Sequence, residues 1–230
     1  MRPEKKDNLM GEIIRMDGNG FVKLVGIIDE LLGPDGCPWD RKQTVGTLSH
    51  MLLEEAYEAI DAADDEDSEK LADEMGDVWI TTLMIAKAAE RESRFSWDQP
   101  FFKAAEKLIR RHPHIFDHQK KLTPEEIEKQ WLEVKKKEKK EKKNSFDGIT
   151  NSLPILSKVQ KLILRAKWAD LSDELCNALE SPSNDKENEF GRSLARLVYE
   201  AENAGVQAEM ALRKFCVTLL ERLSEAEKTF

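Results

Sequence analysis

Only three of the 230 residues are cysteines, Cys37, Cys176 and Cys216, and no two of them form a CxxC pair. An odd, scattered set of this kind excludes a disulfide scaffold and a zinc knuckle as the organising device. Buried thiols are expected, and Cys37 has no evident partnering base that would make it a nucleophile. The sequence also lacks an uninterrupted apolar run of membrane-spanning length, and its first twenty residues, MRPEKKDNLMGEIIRMDGNG, contain no sustained apolar stretch of the secretory kind. A cytoplasmic protein without a membrane partner is the expectation. Strand-like alternation, a βαβ rhythm and a GxxxxGK phosphate loop are missing, which leaves helices as the dominant element. Of the four histidines, His112 and His114 are separated by Pro113 and form no HxxxH pair. They are expected as polar or boundary residues.

What is present is a 26.4 kDa chain that is 40% hydrophobic with a formal net charge of -9. That length supports one extended helical assembly or, better, two modest units. The acidic balance argues against a stable nucleic-acid partner. The one lysine-rich stretch, Val134 to Asn144, is interrupted by Glu138 and Glu141 and carries no aromatic for base stacking, so it reads as an exposed helix end or linker.

Apolar periodicity predicts a first helix over Phe21 to Leu32, ended by GPDGCP. Thr44 or Thr47 starts a second helix that runs to the acidic turn at Asp64 to Glu69, with Ser68 as the expected cap of a third. Pro100 opens another helix and RHPH around Pro113 ends it, while Thr123, Pro124 and Glu126 mark the start of a helix to Lys143. The boundaries expected are a polar extension at 1–20, a first helical domain at 21–143, a linker at 144–151 and a second helical domain at 152–230. Within the last, helices are expected from Leu153, over Leu171 to Leu179, Glu187 to Asn203 and Val206 to Lys228.

Two acidic segments stand out. Glu55 and Glu58 lie three residues apart in LLEEAYEAI, and Glu74 and Asp77 repeat the spacing in LADEMGDV. On a helix each pair shares an edge beside apolar positions, where amphipathic helices come together. Four converging carboxylates repel unless a proton or cation intervenes, and oxygen-only ligation favours Mg2+, with Mn2+ as a substitute. An ordinary solvated acidic face is the competing reading. Glu54 points about 100 degrees away from Glu55 on an ideal helix and suits a supporting role. Lys107 and Arg111, at i and i+4, share a face that can grip an anion or simply meet solvent. Trp39 either covers a ligand's ring or fills an apolar notch, and Arg41 and Lys42 either attract phosphates or face water.

Four blocks in order, GCPWDRKQT (Gly36 to Thr44), LLEEAYEAIDA (Leu52 to Ala62), LADEMGDV (Leu71 to Val78) and KLIRRHPHIF (Lys107 to Phe116), resemble MazG-type nucleoside triphosphate pyrophosphohydrolases. The resemblance implies an all-α, MazG-like helical bundle, Mg2+ dependence and a homodimer. It further implies hydrolysis of nucleoside triphosphates to monophosphates and pyrophosphate, including house-cleaning of noncanonical nucleotides. In that picture Glu54, Glu55, Glu58, Glu74 and Asp77 are catalytic, the last four hold the metal, and Trp39, Arg41, Lys42, Lys107 and Arg111 meet the substrate. The C-terminal half resembles a second, degenerate MazG-like unit: Asn177 and Arg192 stand where two acidic ligands are expected, and Thr218 stands opposite Arg111. A nucleotide-binding or regulatory protein with weak or no catalysis is the alternative.

Overall fold

The computed structural model describes residues 19–117, 121–138 and 144–228, and all regular secondary structure among them is helical. Two compact units divide the chain, Met1–Lys121 and Leu122–Phe230. The division falls before the helix that opens at Pro124, earlier than the 144–151 stretch that composition suggests. The polar extension, except residues 19 and 20, and residues 139–143 of the lysine-rich stretch lie outside the described residues.

In the first unit, α1 (Gly20–Leu32) is capped by the Asn19 side chain, and a 3-10 turn (Asp40–Lys42) leads into α2 (Val45–Asp64). Thr44 and Thr47 form a reciprocal capping box, each side chain accepting from the other's backbone N–H. This settles Thr44 as the cap and Thr47 as its partner. Helix α3 (Ser68–Arg91) is capped by Asp67, whose Oδ1 accepts from Glu69 N at 3.1 Å and Lys70 N at 3.0 Å. Ser68, the cap expected from sequence, is instead the first helical residue. Aspartate one residue earlier reaches two orphan N–H groups at once, and its charge suits the positive helix end. Helix α4 (Gln99–Arg111) carries Pro100 in its first turn, and the short α5 (Pro113–Phe116) follows.

The α2–α3 hairpin is the frame of this unit, with α1 laid against α3. Ile28, Leu48, Leu83, Met84 and Ala88 are buried together, and Trp97 and Phe101 pack on them. Each large side chain buried in that way contributes about 1.5–3 kcal/mol. Phe21 meets Phe101 edge-on at 5.5 Å and Trp79 at 6.3 Å. The buried Lys87 ammonium pairs with Asp29 Oδ1 at 2.6 Å and lies 4.0 Å over the Trp97 ring, tying α1 to α3.

The second unit contains α6 (Pro124–Glu138), α7 (Ile155–Trp168), α8 (Ser172–Glu180), α9 (Lys186–Asn203) and α10 (Ala208–Glu227). Thr123 and Glu126 exchange the two bonds of a capping box at the start of α6. Helix α7 is central, packing against α8, α9 and α10. Its buried Gln160 donates to Glu202 and to the Val206 carbonyl, both at 2.8 Å, and accepts from Ala208 N. Arg165, also buried, donates to the carbonyls of Ser145 and Asp147 at 2.7 and 2.9 Å. Both bonds come from Nη1 and fasten Ser145 and Asp147 to α7.

Candidate metal centre

The antiparallel hairpin brings the two acidic segments to one place. Glu55 and Glu58 share an edge of α2, Glu74 comes from α3, and one carboxylate oxygen of each lies within 4.8 Å of the other two. Oxygens opposite one another on an octahedral ion with bonds of about 2.1 Å are about 4.2 Å apart, so the trio is close to the span of one cation. Glu55 and Glu74 are half-buried and Glu58 is exposed, leaving the cluster open on one side. The Glu55 carboxyl is pushed above its ordinary value near 4.5, first by burial and then by the charges of Asp77, Glu58, Glu54 and Glu74. A cation relieves the repulsion that raises it.

Asp77 lies outside the trio, yet its charge acts on Glu55 more strongly than any other. Glu54, exposed on the neighbouring face, adds to the same field. Among the described residues every charge that shifts Glu55 is a carboxylate; Lys107, exposed on α4, and Arg111, half-buried at its last residue, are not among them. The donor set is all oxygen, and the residues present fit a hard divalent cation such as Mg2+ or Mn2+.

The loop before α2 is built by close backbone approach. A Cβ at Gly36 would sit on the carbonyl oxygen of Leu31 and crowd that of Glu30. Cys37 N donates to the Leu31 carbonyl at 2.8 Å. Arg41 Nη1 donates to the Pro34 carbonyl at 2.7 Å, so part of its guanidinium closes its own loop. Trp39 is 59% exposed and fills no notch among the described residues; Lys42 is exposed as well.

Sequence reasoning missed the clamp that holds this loop beside the acidic hairpin. Arg91, in the last turn of α3, donates to the carbonyls of Arg41 and Gln43, both at 2.9 Å, and the next residue, Glu92, accepts from Val45 N at 3.0 Å. No local signal marks an arginine for carbonyls about fifty positions away. Its place in a helix's last turn, where a cation is favoured, was the nearest hint.

Residues 43–116, which contain the trio, Asp77, Lys107 and Arg111, match the MazG nucleotide pyrophosphohydrolase domain. The chain is 35% identical over 222 residues to the nucleoside triphosphate pyrophosphohydrolase/pyrophosphatase MazG of Thermotoga maritima, covering 90% of this chain and 86% of that one. This chain belongs to the MazG-type pyrophosphohydrolase family. The nucleoside triphosphate pyrophosphohydrolase of Escherichia coli K12 is similar at 32% identity, with 91% of this chain and 88% of that one aligned. A crystal structure of a mazG-related protein from Thermotoga maritima aligns at 34% identity with a TM-score of 0.45, over 50% of this chain and 98% of that one. The family assignment rests on the near full-length relatives. The MazG match begins at Gln43, so Trp39, Arg41 and Lys42 precede it.

Proposed function

We propose that the first unit hydrolyses nucleoside triphosphates to nucleoside monophosphates and pyrophosphate, with Glu55, Glu58, Glu74 and Asp77 holding Mg2+. The observation that carries this reading is the convergence of three glutamate oxygens from two helices within 4.8 Å, in a segment matched by a nucleotide pyrophosphohydrolase domain. When bound, the cation offsets the negative charge of the triphosphate and of the transition state. Water attacks the α-phosphorus; the bond from that phosphorus to the oxygen bridging to the β-phosphate breaks, and pyrophosphate leaves with that oxygen. A carboxylate of the acidic cluster accepts the water's proton, and Glu54 supports the cluster from the adjoining face. Lys107 and Arg111 grip phosphate oxygens, and the exposed Trp39 covers the base, with Arg41 and Lys42 flanking the entry. House-cleaning of noncanonical nucleotides is proposed on the family resemblance alone.

The second unit is proposed to be a degenerate MazG-like copy that serves packing, since Asn177 and Arg192 occupy its expected ligand positions. The protein is proposed to act as a homodimer. Phe190, Leu194 and Leu197 are 73%, 57% and 60% exposed along one side of α9, a row that a partner chain would cover. A panel of nucleoside triphosphates with Mg2+, followed by detection of monophosphate and pyrophosphate, tests the activity. Nucleotide binding with neither product formed would favour a regulatory role over catalysis.

A further inference from the structure

Arg91 and Glu92 end α3 on the surface of the first unit, yet both are bound to the backbone of the segment that leads into α2. The Arg91 guanidinium is divided between two carbonyls, Nη1 donating to Arg41 and Nη2 to Gln43, both at 2.9 Å. These oxygens lie at the end of the 3-10 turn Asp40–Lys42, where a helical turn has no internal donor to offer them. Glu92 Oε1 accepts from Val45 N, the first N–H of α2, at 3.0 Å, while its Oε2 pairs with Arg94. A cation thus holds the carbonyls and an anion the helix N-terminus, each matched in polarity.

The turn so held carries Trp39. The Trp39 carbonyl accepts from Lys42 N at 3.1 Å and from Gln43 Nε2 at 3.3 Å, so the clamped residues and Trp39 form one piece. On the other side, Cys37 N and Arg41 Nη1 donate to the Leu31 and Pro34 carbonyls, which ties the same segment to α1 and the loop after it. Trp39 therefore sits between two anchors, and with most of its surface exposed it is not fixed by burial. Bonds made by exposed side chains add little to global stability, so the effect of the Arg91 fork falls on where Trp39 rests. Arg91 itself lies about 25 Å of helix beyond Glu74 at 1.5 Å per residue, out of reach of the carboxylate trio. We propose, resting on the reading that Trp39 covers the base, that Arg91 is a positioning residue whose fork sets Trp39 in place before a nucleotide arrives. The base then meets a formed wall, and the cost of ordering the loop on binding is avoided.

The test titrates α,β-methylene-ATP, which cannot be cut between the α- and β-phosphorus, into the full chain with Mg2+ by calorimetry. Arg91→Met should weaken binding about tenfold, and Trp39→Ala by a similar factor. The double variant should match Trp39→Ala alone within about twofold, since a loop without its ring has nothing left to position. With ATP as substrate, Arg91→Met should raise KM about tenfold and keep kcat within about twofold. Partial unfolding would lower kcat too, and a long-range charge effect would persist without Trp39; neither produces this pattern. Should Arg91→Met fail to fold, Arg91→Lys, which keeps the charge and loses the fork, carries the same cycle with a loss of about threefold. Losses that multiply in the double variant, full affinity in the Arg91 variant, or an effect confined to kcat would overturn the proposal. Full affinity in Trp39→Ala would overturn the reading of Trp39 and this proposal with it. Binding of the analogue by a chain that does not hydrolyse ATP would overturn the hydrolase reading alone, and the affinity cycle would still decide the role of Arg91.

Discussion

Glu55 is the residue at which folding and chemistry oppose each other. Burial and four neighbouring carboxylates raise its carboxyl above the ordinary value near 4.5. The folded chain therefore holds that proton more tightly than the unfolded one. Below the ordinary value both forms are protonated and no penalty exists; as pH climbs from the ordinary value to the raised one the penalty develops, and above the raised value it is complete. Metal-free protein is expected to gain thermal stability on acidification toward pH 4.5, and Glu55→Gln to raise the neutral-pH melting temperature in EDTA. Scanning calorimetry checks both, and a lower melting temperature for the variant in EDTA would contradict the argument. Glu58→Gln keeps the size of the side chain and removes its charge. It should retain the helical circular dichroism while Mg2+-dependent hydrolysis falls by about 100-fold or more. Near-normal turnover at limiting Mg2+ would remove Glu58 from the ligand set. Arg111→Gln should weaken nucleotide affinity about tenfold with Mg2+ affinity unchanged, because it removes a hydrogen-bonding fork and no carboxylate. Titration calorimetry with each ligand separates the two effects.

Helix ends and the loop before α2 position these residues. Asp67 caps α3 and thereby fixes where Glu74 and Asp77 fall along the hairpin. Asp67→Ala is expected to cost about 1 kcal/mol, whereas Ser68→Ala, which removes no cap, should cost much less. Urea unfolding of both variants measures the difference. Gly36→Ala would drive a methyl group into the Leu31 carbonyl, so it should destabilise by about 1–3 kcal/mol and loosen the loop that presents Trp39. Fluorescence of the tryptophans alongside denaturation reports both, and an unchanged midpoint would refute the close approach. Helix positions were legible because apolar periodicity and capping residues act over a few residues, as at Thr44 and Thr123. The choice between Asp67 and Ser68 was not legible from type alone, since either side chain caps well. It turned on where the chain reverses, with Glu66 in the left-handed region at φ 57° just before the cap.

For the whole molecule, the exposed apolar row on α9 continues in kind on α10, where Leu212, Phe215, Leu219 and Leu223 are 55%, 57%, 42% and 60% exposed at helical spacing. Surfaces of this sort seldom stay in water. Light scattering across protein concentration should give twice the 26.4 kDa chain mass. A fully active particle at the single-chain mass would exclude an obligate dimer.

The sequence by itself determined the all-helical fold, most helix limits, and the pairing of Glu55 with Glu58 and Glu74 with Asp77, because each depends on spacing within a turn or two of helix. Tertiary structure alone decided which oxygens meet. Asp77 matches Glu74 in spacing yet stays outside the tight trio, since the reach of each carboxylate across the hairpin depends on helix rotation and side-chain rotamer. The Arg91 clamp on the Arg41 and Gln43 carbonyls belongs to the same class. Its partners are set by chain segments brought together only when the core packs.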